Sequence, residues 1–187
     1  MHLRTIPISV AVAGFACLGG PSLGTSQDAP ARNRPLIAMA DTFLQQPFRE
    51  GARTSLLDSA FQRQDVTVNI TASVTPFICY GDTATAVRAF DALLLSAYVV
   101  GNMREQLRIG RDRDQPEAGL RGVLQVYAVI RSRIANYHVP EVDAWSEALA
   151  TRPFAAYADS VAHNRRAKCD KKTSRYPPGA VLEPTQP

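Results

Sequence analysis

Between residues 82 and 166 apolar side chains recur every three or four positions in four successive blocks, each bounded by turn chemistry. Gly81 and Asp82 supply a turn and an N-cap. Val87, Phe90, Leu94, Ala97 and Gly101 then fall on one line, with Leu93, Val100, Met103 and Leu107 beside it. So wide an apolar face predicts the central helix of a bundle, and Gly110 predicts its stop. The charged run 111–114 makes a short connection, and Pro116 suits the first position of a second helix. In that helix Leu120, Val123, Leu124, Tyr127, Ile130 and Ile134 keep the 3–4 spacing, with Arg121, Gln125 and Arg131 opposite. The short link predicts an antiparallel pair. Gly119 and Gly122, inside the second helix pattern, predict close helix packing rather than a phosphate-binding loop.

Two shorter helices are predicted next. Pro140 opens one with Val142, Trp145 and Leu149 on one face, and Pro153 opens another with Phe154, Tyr157 and Val161. Upstream, Pro35 marks a helix start, followed by Leu36, Ile37, Met39, Ala40, Phe43 and Leu44, and Pro47 ends it. Residues 50–64 carry Leu56, Leu57, Ala60 and Phe61 with the same spacing. The two halves of the bundle share no residue pattern beyond this apolar spacing, so a solenoid is not supported.

Residues 65–80 break the helical period. Val66, Val68, Ile70 and Ala72 alternate with Thr67, Asn69, Thr71 and Ser73, a period-2 pattern rich in β-branched residues. The pattern predicts a strand or extended segment, yet no second segment offers itself as a partner strand. It lies as extended chain over the helices or pairs with another molecule. The fold class is therefore mainly α: a small bundle of about four to six helices with an extended or β-like segment near 65–80 and a disordered basic C-terminal tail. The expected division is a signal peptide at 1–24, a disordered leader at 25–34, one helical domain at 35–166 and a basic, then Pro-rich, tail at 167–187.

The export reading comes from the N-terminus. Arg4 precedes an apolar run from Ile6 to Ala16, and Gly19, Gly20, Pro21 and Ser22 follow, the order of a secretory signal. The run is too short to span a bilayer, as is the next longest, Ala92 to Val100, which Ser96 interrupts. Cys17 would be the lipidation site of an anchored protein, although Gly14 and Phe15 fit the preceding tripeptide poorly. Arginine far outnumbers lysine and alanine is abundant, as in a high-GC bacterial genome, so the expected location is the periplasm or the exterior. Once the leader is removed, Cys79 and Cys169 remain in an oxidising compartment and are expected to form a disulfide. Closing a loop of about 90 residues contributes roughly 4–5 kcal/mol through chain entropy if the bond is unstrained.

Charge changes the picture at one place only. The formal net charge is +4, while Arg165, Arg166, Lys168, Lys171, Lys172 and Arg175 stand against Asp170 alone. Every lysine of the chain is in that block, so the rest is nearly neutral. Such a block attracts an anionic envelope surface or an acidic protein. Specific nucleic-acid recognition is not expected, because export removes the usual partner and only Tyr176 interleaves an aromatic.

Catalytic chemistry leaves little trace. Past the leader only His138 and His163 remain, too few for a zinc site without distant carboxylates. His138 and Glu141 form the nearest acid–base candidate. There is no Gly-x-Ser-x-Gly elbow, and Asp112 and Asp114 lack the remaining ligands of a calcium loop. Asn102, Arg104, Glu105 and Gln106 form a polar block late in the central helix, read as its solvated end or the lining of a cleft. Asn69-Ile70-Thr71 matches the glycosylation acceptor, which matters only in a eukaryotic secretory route. The expectation is a non-enzymatic binding protein of the bacterial envelope, an adaptor, inhibitor or immunity-like protein. Its partner would be an unidentified protein or an anionic surface, with no catalytic, metal or cofactor residues assigned. The alternative is an envelope-acting hydrolase.

Overall fold

The computed structural model describes residues 28–49, 51–79, 85–134 and 137–163. The expected signal segment, Cys17, the expected cap at Asp82, Cys169 and the basic block from Arg165 to Arg175 lie outside the described residues, as does the side chain of Cys79.

Six helices form the described chain: α1 (Asp28–Gln45), α2 (Ala52–Gln62), α3 (Thr85–Ile109), α4 (Pro116–Arg133), α5 (Pro140–Thr151) and α6 (Phe154–Ala162). α3 is central. α1, α2 and α4 pack against it, and α5 and α6 pack on α4. The fold is the expected helical bundle, and no helix among the described residues is long and apolar enough to cross a membrane.

Turn residues act where the pattern placed them. Gly110 adopts φ +62°, the left-handed conformation that ends a helix without a Cβ penalty. The N–H of Arg111 then bonds back to the carbonyl of Gln106 at 3.2 Å, the six-residue closure of a Schellman motif. Pro116 and Pro140 each occupy the first turn of their helices, where a missing N–H costs nothing. α3 and α4 run antiparallel: Gly101 lies against Ala118, and Ala97 against Gly122.

Three expectations are corrected at the margins. α1 begins at Asp28, so Pro35 sits inside the helix and residues 28–34, expected in the leader, are helical. Buried Asn33 anchors that early part, its side-chain amide donating to the carbonyl of Leu107 at 3.5 Å. Phe61 is 72% exposed rather than part of the α2 stripe. On α5 the buried line is Val142, Trp145 and Ala148, which leaves Leu149 outside.

Residues 65–80 divide in two. Residues 66–71 are extended but form no backbone ladder, and no strand occurs among the described residues. Val74 and Phe77 are fully buried in the core, with Phe77 on a 3₁₀ turn, Pro76–Cys79.

Candidate functional site

The late polar block of α3 is not its solvated end. Asn102 and Gln106 are 0% and 1% exposed, one turn apart below Tyr98; Gln106 receives the extended segment and Asn102 braces Gln106 from behind. Gln106 Oε1 accepts from the N–H of Thr67 at 2.9 Å. Gln106 Nε2 donates to the carbonyl of Thr67 and to Asn102 Oδ1, both at 2.6 Å. The side-chain amide thus takes the place that a backbone amide would hold in a neighbouring strand.

Two residues on, the same edge is held again. Asp114 Oδ1 accepts from the N–H of Asn69 at 3.2 Å and from Asn102 Nδ2 at 2.7 Å. The Tyr98 hydroxyl donates to the carbonyl of Asn69 at 3.3 Å. The side chains are tied as well: Asn69 Nδ2 to Asp114 Oδ2 at 3.1 Å, and Thr67 Oγ1 to Asp112 at 2.7 Å. The α3–α4 connection is fixed by the Gln115 N–H donating to Asn102 Oδ1 at 3.0 Å. Burial, reinforced by the nearby Asp114 charge, pushes the Tyr98 hydroxyl far above its ordinary titration range. At the segment's entrance Arg63 grips Asp65 and also reaches Asn33 Oδ1 at 3.2 Å. The Arg63 hydrogen bond holds the Asp65 carboxyl below the usual carboxylate range.

Arg104 and Glu105, the other members of the polar block, point away from this network. Arg104 pairs with Asp41 of α1 at 2.8 Å, and Glu105 pairs with Arg108 at 2.6 Å. Every polar side chain of the block therefore has a partner within the fold.

The carboxylate beside His138 is that of Asp143. The imidazole Nδ1 stands 2.6 Å from Asp143 Oδ2, an ion-pair distance without hydrogen-bond alignment. Asp143 Oδ1 accepts from the Tyr127 hydroxyl and from Arg131, each at 3.1 Å. The Tyr127 oxygen in turn accepts from the N–H of Val139 at 3.0 Å. The cluster joins α4 to the start of α5. Burial raises the Tyr127 hydroxyl to about 12, against the opposing effect of the Val139 hydrogen bond. No group of three or more metal-ligating side chains occurs among the described residues.

Among the described residues the surface includes two clefts of note. One, of about 310 Å³, lies between the α3–α4 connection and α6, and its rim mixes Arg111 and Arg113 with Asp114, Glu117 and Asp159. The other, of about 430 Å³, lies where the α1–α2 connection meets α3. Pro47, Phe48, Phe90 and Leu93 line it, and Arg49 and Arg53 stand at its rim. Its aromatic wall is ordered by packing: Phe48 meets Phe90 edge-on at 6.4 Å and Phe90 meets Tyr137 at 5.3 Å. The Arg133 guanidinium caps the Phe48 ring at 4.3 Å. Arg49 and Arg53 have no acidic partner among the described residues. Neither cleft includes His138 or Glu141.

The spacing of Tyr98, Asn102 and Gln106, four apart along an apolar helix, was the available signal for the buried network. Nothing in the order of residues announced the second cleft, because its walls come from three separate elements. Comparison with family models, curated proteins and solved structures finds no match to this chain.

Proposed function

We propose that this chain is an exported, non-enzymatic binding protein of a bacterial cell envelope, and that its helical domain attaches to an anionic amphiphilic surface. The observation that carries the reading is the cleft of about 430 Å³ with Phe48 and Phe90 in its wall and Arg49 and Arg53 at its rim. Clefts of that size, mostly apolar with a few placed polar groups, suit a small ligand or an inserted lipid group. Two arginines at the mouth of an apolar cleft select an acidic head above an apolar tail, because guanidinium pairs with phosphate or carboxylate in a fork. Support against catalysis comes from the use already made of the polar groups. Asp112, Asp114 and Gln106 hold the extended segment, Asn102 is taken up by Asp114 and Gln106, and Asp143 is occupied by Tyr127 and Arg131. The signal-like order of residues 1–24 and the basic block from Arg165 to Arg175 favour the same destination, a negatively charged envelope.

The test is co-sedimentation of the protein with vesicles of phosphatidylglycerol or of phosphatidylcholine. Preferential binding to the anionic vesicles is expected, with at least a severalfold loss in an Arg49→Glu/Arg53→Glu variant. Equal retention on both vesicle types, or full retention by the charge-reversed variant, rejects the cleft as the attachment site.

A further inference from the structure

The extended segment is paired along one edge only. In an extended chain the N–H and C=O of a residue point to the same side, and successive residues point to opposite sides. Thr67 and Asn69 direct both groups inward, to Gln106, Asp114 and Tyr98. The backbone groups of Val66, Val68 and Ile70 therefore face outward, and among the described residues they make no hydrogen bond. Ile70 is 47% exposed, while Val66 and Val68 are half-buried against the core.

Proteins ordinarily blunt such an edge with lysine, proline, a bulge or a covering element. Here residues 66–75 carry no charge, no proline and no glycine, and they are rich in β-branched residues. The inner edge is fastened by four side chains, Gln106, Asp114, Tyr98 and Asp112, so the outer edge is presented in a fixed conformation and loses little entropy on pairing.

We infer that a second copy of this chain pairs along this edge, the two segments running antiparallel about a two-fold axis at Val68. Three features favour a second copy over another occupant. Only another extended backbone satisfies outward N–H and C=O groups at every second residue. The register is self-complementary, since Val66 then faces Ile70 and Val68 faces its own equivalent, all β-branched pairs of the kind that stabilise ladders. The absence of charge removes the like-charge repulsion that self-pairing otherwise meets.

Light scattering and sedimentation of the full chain over a concentration series test the inference. A dimer is expected, with a two-fold change in mass between the ends of the series. Ile70→Pro removes one outward N–H and leaves the inner edge alone. It should give a monomer with an unchanged helical circular-dichroism spectrum. Val68→Lys and Val68→Asp should each be monomeric, since like charges meet at the axis, while an equimolar mixture should recover the dimer. Should either Val68 variant lose its helical spectrum, the Ile70→Pro result decides. A monomer at every concentration overturns the inference, and so does a dimer that survives Ile70→Pro. A mixture of folded Val68 variants that stays monomeric overturns the axis at Val68. Vesicle binding does not enter, so this test stands apart from that of the arginine-rimmed cleft.

Discussion

Gly101 of α3 and Gly122 of α4 meet face to face where the two longest-packed helices cross. A Cβ on Gly101 would lie 2.5 Å from the carbonyl oxygen of Ala118, and one on Gly122 equally close to that of Ala97. Both obstacles are backbone, so neither can turn aside. Alanine in a helix interior ordinarily gains about 1 kcal/mol over glycine. At these two positions the sign should reverse. Gly122→Ala and Gly101→Ala are each expected to destabilise by about 1–3 kcal/mol, the range of overpacked cores, read from the urea midpoint. Gly119→Ala should destabilise as well, because its Cβ would lie 2.6 Å from the ring of Tyr98, which is fully buried and held through its hydroxyl. A stabilised Gly122→Ala would mean that the helices are not in contact at this point.

Much of this crossing was legible beforehand. Gly110, Pro116 and Pro140 act through local backbone chemistry, so their effect can be read without knowing the rest of the fold. The 3–4 apolar spacing of α3 and α4 gave their contact faces, and Gly119 and Gly122 signalled close packing. What escaped depended on distant residues. Asn102 and Gln106 looked like a solvated helix end because polarity usually means water, and their buried state depends on a segment some forty positions upstream. The extended segment had no partner strand to find, since its partners are side chains. The arginine-rimmed cleft was hidden for a similar reason, being assembled from pieces that share no motif.

The helix stripes erred where one apolar residue was too many. Leu56 is fully buried and Phe61 is 72% exposed, although both belong to the apolar positions of α2. Leu56→Ala should cost about 2–5 kcal/mol through lost burial and a residual cavity. Phe61→Ala should stay within about 0.5 kcal/mol, as surface changes do. Thermal unfolding of the two variants side by side gives the comparison, and equal losses would refute the placement of Phe61 outside.

Alkaline pH should loosen the α4–α5 junction. The buried Tyr127 hydroxyl titrates at about 12 when folded, against about 10 for a free tyrosine. The folded state therefore holds this proton more tightly, and the contribution is complete below pH ~10 and lost as pH rises toward ~12. Tyr98 is shifted in the same direction by burial and adds to the trend. Tyr127→Phe should lose roughly 1 kcal/mol at neutral pH, because Val139 and Asp143 each lose a hydrogen bond. Its stability should then fall less steeply than wild type above pH ~10. Parallel pH profiles for the two proteins would exclude Tyr127 as the titrating group.

Gln106 offers the sharpest test of the side-chain-held segment. Its amide uses both Nε2 protons and Oε1, on Thr67 and Asn102, in a site almost closed to water. Gln106→Leu preserves the approximate volume but leaves the part-buried N–H and C=O of Thr67 without their partners. A loss of about 2–4 kcal/mol is expected from the cost of one or two such groups. Gln106→Glu separates shape from chemistry. The ionised carboxylate would face the Thr67 carbonyl and Asn102 Oδ1 with no proton to offer, close to Asp114. The introduced carboxyl should therefore titrate higher in the folded state than in the unfolded one. Its protonated form can still donate one hydrogen bond, so stability should recover as pH falls below that raised value and decline as pH rises through it. Hydrogen exchange at the Thr67 and Asn69 amides gives a local reading. In Gln106→Leu the Thr67 amide should lose protection first, with Asn69 following, while the core amides of α3 keep theirs. Unchanged exchange at Thr67 would refute the assignment of Gln106 as the group that holds this amide.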